Sequence, residues 1–416
     1  MCYQGWRKVY KAGQKCADDL ISLNFSRLVF QIARDYAFIL ARVVCRRMGI
    51  WMRLAALLFL GIVCVGASSI GAQADTTVLR LTMQQSADDP IGKIILQFKE
   101  EVERETKGTV TIEVHDKGQL YPDYQVPEVI GGGVVEIGVT QLANYAQHAA
   151  VAGVFMQPFL FNFDAIVRAA TKPGGEIRAM IDGAITGETG AHVLWWQPHG
   201  WNVIFSKGPV TSPKAIANRN VRVFDEVAAE FVKLCGGTPQ VISESKQVEA
   251  LELNIVDSTM TSASSLMPYQ LYRKTDTISD IRHSANILVI LINDDVWQKL
   301  TVDQRSILGG AAKNSEARGW WGFGAREAGI YADAMANDMT IARPAPHDLV
   351  EWRACSSEIL EAFLARSGRS GAQLLSAYGK LRADPCCGVD PAAAQAGNLG
   401  PPLPKPQDSP GTSVAK

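Results

Sequence analysis

From residue 78 the chain alternates apolar and polar positions over Val78-Leu79-Arg80-Leu81-Thr82-Met83, the period-two pattern of a half-buried strand. Asp88-Asp89-Pro90 then opens a helix, with proline just inside its start and acids at its positive end. Ile91, Ile94, Ile95, Phe98 and Val102 fall on one face of a helix over residues 91–106, and Lys107-Gly108 stops it. Residues 110–114 read as a second strand, 123–130 as a helix closed by Gly131-Gly132-Gly133, and 135–139 as a third strand. The β-α-β-α-β order predicts a parallel sheet with its chemistry at the carboxyl ends of the strands. A second α/β unit starts near Gly200, with strands at 203–205 and 221–224, a helix at 228–234 and a turn after Ile255-Val256-Asp257. The near-continuous apolar run 287–292 reads as a strand passing back to the first unit. Residues 301–339 form one proline-free helical stretch with Thr301-Val302-Asp303-Gln304 as its cap.

The ends behave differently. Residues 54–65 are an apolar run shorter than the roughly 20 needed to cross a bilayer. Arg53 precedes it and Ala72-Gln73-Ala74 follows, the three-part pattern of a secretory signal peptide, which places the mature start near Asp75. A non-cleaved anchor is the alternative. Residues 1–47 are basic and read as an over-extended start of the frame, since Met48 or Met52 would each begin an ordinary signal peptide. Residues 381–416 form a C-terminal tail, rich in Pro, Ala and Gly from Gly388 onward and expected to be largely disordered. Without residues 1–74, which hold ten Lys and Arg and three Asp and Glu, 31 basic and 39 acidic residues remain, a net charge of −8. An acidic surface argues against nucleic acid as a partner. Of eight cysteines, Cys235, Cys355, Cys386 and Cys387 lie beyond the leader. Export permits disulfides, and Cys355 is expected to pair with Cys386 or Cys387, with Cys235 a small buried apolar residue. No Cys/His spacing suggests zinc, and no cofactor is expected.

About 310 mature residues exceed the usual size of a single domain, so two lobes joined by crossing strands fit best. The run Asn218-Arg219-Asn220-Val221-Arg222-Val223-Phe224 resembles the Lys-Ile/Val-Arg strand of the solute-binding proteins of TRAP transporters, with Asn220 where that family commonly has Lys. Further landmarks follow in order: Thr106-Lys107-Gly108, Gly118-Gln119-Leu120 with Asp123, residues 133–137, Pro158-Phe159-Leu160-Phe161, and Trp297 to Leu300 with Thr301-Val302-Asp303-Gln304-Arg305. The resemblance covers roughly residues 78–378. It implies an α/β fold of the two-lobed periplasmic-binding-protein type, with crossing strands and a long helix bracing both lobes. Lobe I is expected at 75–199 and 286–325, and lobe II at 200–285 and 326–380. It also implies a periplasmic receptor, not an enzyme, that catches a small organic acid and hands it to the membrane subunits of a TRAP transporter. A monomer is the working expectation, the sequence leaving oligomeric state open.

The resemblance assigns the ligand's carboxylate to Arg222. A guanidinium holds a carboxylate through two parallel bonds and stays charged at any cellular pH. Thr261 and Asn202 would complete the carboxylate's bonding, Gln84 and Asp123 would approach from lobe I, and Gln141, Trp201, Phe224, Met267 and Tyr269 would line the cleft. Asn202 stands where the family often has a second arginine, and Gln141 where its sialic-acid receptors have an acid. With the turn Asp257-Ser258-Thr259-Met260-Thr261, where a hydroxyl replaces the family's amide, these departures predict a less polar and less charged site that takes a monocarboxylate with an apolar or aromatic body. The ordinary readings are a surface strand charge for Arg222 and plain core for Trp201, Phe224 and Tyr269. The alternatives in function are an exported α/β hydrolase acting on a small carboxylate, or a receptor for signalling. The chain has no GxSxG, no HxxxH and no GxxxxGK[ST], which counts against enzymatic chemistry.

Overall fold

The computed structural model describes residues 76–384, all within the unit Asp75–Lys416. The leader, residues 1–74, and the tail from residue 385, with Cys386 and Cys387, lie outside the described residues; residues 381–383, read as the start of the tail, still belong to the helix Ser357–Ala383. Ten strands are described: β1 (Thr77–Thr82), β2 (Val110–His115), β3 (Ile137–Gln141), β4 (Ala191–Ser206), β5 (Asn220–Val223), β6 (Thr238–Val241), β7 (Ser258–Ser262), β8 (Thr277–Ser279), β9 (Ala285–Asn293) and β10 (Thr340–Ala342). They run in the order β2-β1-β3-β9-β4-β7-β5-β6, with β8 beside β4 and β10 beside β8.

The two halves repeat one plan. β1 lies parallel between β2 and β3, and β5 lies parallel between β6 and β7. Each half is joined to the rest through an antiparallel strand, β9 beside β3 and β4 beside β7. The helix Pro90–Glu105 returns the chain from β1 to β2, its start capped by the Asp89 carboxylate on the amides of Ile91 and Gly92. Its apolar face carries Phe98 against the buried Trp195 of β4, ring centres 4.8 Å apart. The helix Glu226–Leu234 plays the same part between β5 and β6, capped by Asp225.

β4 is the element shared by both halves. It pairs with β9 from Ala191 to Trp201 and with β7 from Asn202 to Ser206. The switch falls just after a register shift at Pro198/Gly200, where Gly200 adopts φ +135°, a backbone that favours glycine. The return crossing, residues 280–284, leads from β8 into β9. The two crossings bond to each other: Asn202 N donates to Ser284 O at 2.9 Å, its Nδ2 donates to Ser284 Oγ at 2.9 Å, and His283 N donates to Asn202 O at 3.1 Å.

Two expectations need correction. The helical stretch 301–339 is two helices, Val302–Trp321 and Phe323–Ala336, parted at Gly322. Arg326 fills the space a side chain at Gly322 would need, and its Nη2 takes the Gly319 carbonyl at 2.9 Å. The first helix packs on Pro90–Glu105 and β4, the second on β10 and β4, so together they still brace both halves. The Thr301–Gln304 capping box is present as read. The second correction concerns sulfur: Cys355 bonds to Cys235, their Cα atoms 5.2 Å apart. Cys235 caps the helix Glu226–Leu234 and Cys355 ends the helix Pro346–Cys355, and the stacking of Phe231 on Trp352 at 5.3 Å brings the two helices together.

Candidate functional site

The carboxyl ends of β3, β5 and β6 converge on one cavity of about 250 Å³, as expected for open α/β sheets. Arg222, the third residue of β5, lines it. Its side chain is only 1 % exposed, yet no carboxylate lies within ion-pair reach among the described residues. Backbone carbonyls hold it instead: Nε donates to Ile242 O at 2.7 Å and Nη1 to Met260 O at 3.2 Å. Of the guanidinium's five N–H donors, these two bonds leave three for another partner. Burial pulls the pKa of Arg222 down, while the negative charges of Glu244 and Asp123 pull it back up.

Asp123 and Glu244 face the same cavity from opposite halves. Asp123 opens the turn Asp123–Gln125, whose backbone is pinned where Thr140 Oγ1 donates to Asp123 O at 2.7 Å. Its carboxylate is served by the Tyr124 backbone amide and by a long contact from Asn144 Nδ2, at 3.4 Å. Burial, helped by the nearby negative Glu244, pushes the Asp123 pKa up to about 6 against the pull of Arg222. Glu244 starts the turn Glu244–Lys246 beyond β6 and is buried. It accepts a hydrogen bond from Ser265 Oγ, and Thr261 Oγ1 lies 3.2 Å from that same hydroxyl. Burial raises the pKa of Glu244, opposed by Ser265 and Arg222. The apolar wall is Phe224, Val241 and Ile242, with Tyr124, Gln141, Asn144 and Ser243 completing the lining.

Of the residues singled out in the sequence, Arg222, Phe224, Asp123 and Gln141 line the cavity. Thr261 lies one step behind it, against Ser265. Gln84 is buried and bonded to the Tyr269 hydroxyl, whose pKa is pushed up by burial and by the charge of Glu244. Asn202 is fully buried at the crossing of the two strands, where it serves Ser284. Trp201 is buried against Phe323 and beneath the Arg282 guanidinium, 5.3 Å from its ring centre. Met267 is 43 % exposed. Sequence reading missed Glu244, Ser243 and Asn144. The run Gln240-Val241-Ile242-Ser243-Glu244-Ser245-Lys246 carries no landmark, and the strand Thr238–Val241 that delivers Ser243 and Glu244 to the cavity was not read from the sequence. The site therefore carries more charge than the departures at Asn202 and Gln141 suggested, because Glu244 adds an acid that no landmark announced.

Two lobes built on one plan, joined by crossing strands and enclosing a buried cation, define a bilobal solute-binding protein. Residues 81–367 match the family described as bacterial extracellular solute-binding protein, family 7, and the chain belongs to that family, the receptors of TRAP transporters. The C4-dicarboxylate-binding periplasmic protein DctP of Rhodobacter capsulatus is 25 % identical over 244 residues, 58 % of this chain and 72 % of that protein. The ectoine/5-hydroxyectoine-binding periplasmic protein UehA of Ruegeria pomeroyi is 23 % identical over 332 residues, 76 % of this chain and 93 % of that protein. Among solved structures, the Bordetella pertussis receptor DctP7, which binds pyroglutamic acid, superposes with TM-score 0.70 at 20 % identity, covering 73 % of this chain and 100 % of that one. A TRAP periplasmic solute-binding protein from Sulfitobacter sp. NAS-14.1 with bound β-D-galacturonate gives TM-score 0.68 at 20 % identity, covering 73 % of this chain and 100 % of that one.

Proposed function

We propose that this protein is the periplasmic receptor of a TRAP transporter, closing its two lobes over a small organic acid and delivering it to the membrane subunits. The observation that carries the reading is Arg222: a buried guanidinium lining a cavity, steadied by two carbonyls and joined to no carboxylate among the described residues. Leaving a charge buried and unpaired costs several kcal/mol, about 3–5 where one partner of an ion pair is missing. A ligand carboxylate at the three open N–H groups removes that cost, and the planar fork suits it. Phe224, Gln141 and Asn144 then surround the body of the ligand, and Thr261 supports from behind. The lobes, 75–199 with 286–325 and 200–285 with 326–380, hinge at the paired crossings near Asn202 and Ser284. Relatives named for C4-dicarboxylates and solved neighbours holding pyroglutamic acid or galacturonate support an acidic ligand class. The Cys235–Cys355 bond suits an oxidising compartment outside the cytoplasm.

The test is a thermal-shift screen of the purified protein against organic acids, beside Arg222→Ala. A ligand at about a hundred times its Kd stabilises the fold by about 2.7 kcal/mol. In Arg222→Ala the affinity is expected to fall on the order of a hundredfold or more, at about 1.4 kcal/mol per tenfold. Acids that stabilise the variant as well as the parent protein would remove Arg222 as the anchor.

A further inference from the structure

We propose that the ligand is a zwitterion, its carboxylate on Arg222 and a cationic nitrogen group held between Asp123 and Glu244. The inference rests on the receptor reading above and narrows its ligand class. One cavity is lined by three charged side chains, one positive and two negative, and no two of them form an ion pair within reach among the described residues. Each is instead held by neutral groups: Arg222 by the Ile242 and Met260 carbonyls, Glu244 by the Ser265 hydroxyl, Asp123 by the Tyr124 amide and a long bond from Asn144. The arrangement keeps the charges apart and turned to a shared space. Bringing in a plain carboxylate would set three negative groups around one guanidinium. Two of them would then be buried with no positive partner, a state that proteins relieve by pairing or by taking up a proton. An ammonium or amidinium on the same molecule supplies the missing positive charge and donors for both acids.

The placement of the two acids strengthens the case. Asp123 follows β2 in one half and Glu244 follows β6 in the other. A cation between them makes charge-assisted bonds to both halves at once, so it ties ligand recognition to closure. A bound metal ion is a poorer occupant, since no group of three or more His, Cys, Asp or Glu among the described residues is arranged to hold one. The wall of Phe224, Val241 and Ile242 leaves room for an apolar body between the charged ends.

Matched pairs differing only in the amino group test the proposal by titration calorimetry: 4-aminobutanoate with butanoate, proline with cyclopentanecarboxylate, phenylalanine with 3-phenylpropanoate. At least one amino member is expected to bind about tenfold or more tightly than its partner, a difference of about 1.4 kcal/mol. Glu244→Gln, and separately Asp123→Asn in case the first variant misfolds, should erase that preference, the amino member losing affinity while the deaminated member gains it, because one negative charge beside its carboxylate is gone. Arg222→Ala should abolish binding of both members. Equal or tighter binding of the deaminated acids, still lost in Arg222→Ala, overturns the zwitterion and leaves the receptor reading standing. A set in which no amino member binds also overturns it. Binding of either member that survives Arg222→Ala removes Arg222 as the anchor and overturns the zwitterion pose built on it.

Discussion

Arg222 is oriented by carbonyl oxygens, and the choice of partner decides what the residue can do. A carboxylate would have neutralised it; Ile242 O and Met260 O fix its plane and leave its charge intact. A lysine keeps the charge but has a compact head with three donors, which cannot satisfy both carbonyls and still offer a parallel pair. Arg222→Lys is therefore expected to weaken acid binding by about ten- to a hundredfold, the loss of one charge-assisted bond at about 1.5–3 kcal/mol. Calorimetric titration measures it, and affinity within about twofold of the parent would show that a point charge is enough. Arg222 was singled out through the resemblance of the run around it, and the structure places it at the cavity. Glu244 was not, because a glutamate between serines in a polar run looks like any solvated turn. Its burial goes with a partner, Ser265, that lies 21 residues further on, which no local pattern records. Asn202 shows the converse: the resemblance offered it to the ligand, while the geometry spends its amide on Ser284.

The elements were read well where one periodicity dominates and poorly where a special residue interrupts it. The helix over 91–106 and the strand at 287–292 were plain from spacing, and both are present as Pro90–Glu105 and Ala285–Asn293. β4 is 16 residues long, but Pro198 and Gly200 sit inside it as turn signals, so only 203–205 read as strand. Those residues mark the irregularities through which one strand serves two sheets. Gly322 was the opposite error, a helix break hidden because one glycine in a helical pattern is weak evidence. The cysteines could not be paired from spacing at all, since the bond spans 120 residues and depends on two helices meeting through Phe231 and Trp352. A cross-link across so long a stretch constrains the unfolded chain strongly, and native disulfides typically contribute about 2–4 kcal/mol. Replacing both Cys235 and Cys355 with serine should lower the unfolding free energy by about that much in urea denaturation. A loss under about 0.5 kcal/mol would mean that the helices hold their places without it.

At the scale of the molecule, the crossing region carries a second set of buried charges with a different consequence. Glu327, on the helix Phe323–Ala336, lies 9 % exposed beside Gly200, and its Oε2 has no hydrogen-bond partner. A side chain at Gly200 would come within 2.9 Å of Glu327 Oε1 and 2.7 Å of Ser262 Oγ, and the φ of +135° there strains any other residue, so the strand switch favours glycine beside this carboxylate. The two-lobed plan was expected from chain length and resemblance, but Glu327 was hidden, since a glutamate in a helical stretch reads as a solvated face. Burial pushes its pKa up to about 7; Arg282 and Arg326 pull it down, and Asp280 and Asp164 push it further up. A carboxyl that binds its proton more tightly when folded stabilises the fold fully below its ordinary pKa of 4.5 and loses that contribution as pH rises through about 7. His199 and His283 act in the opposite sense, because burial holds their pKa values down at about 4 and about 3, so they cost stability as pH falls below 6.5. The histidines shape the acid limb of the whole protein, but they cancel when a variant is compared with its parent at each pH. Glu327→Gln mimics the protonated carboxyl at every pH. Its melting temperature relative to the parent should therefore climb steadily from about pH 4.5 to about pH 7 and level off above that. A difference that stays flat across that range would show that Glu327 is already charged in the folded protein and paid for by Arg282 and Arg326, in which case the crossing is an ion-paired joint rather than one that loosens as its carboxylate loses a proton.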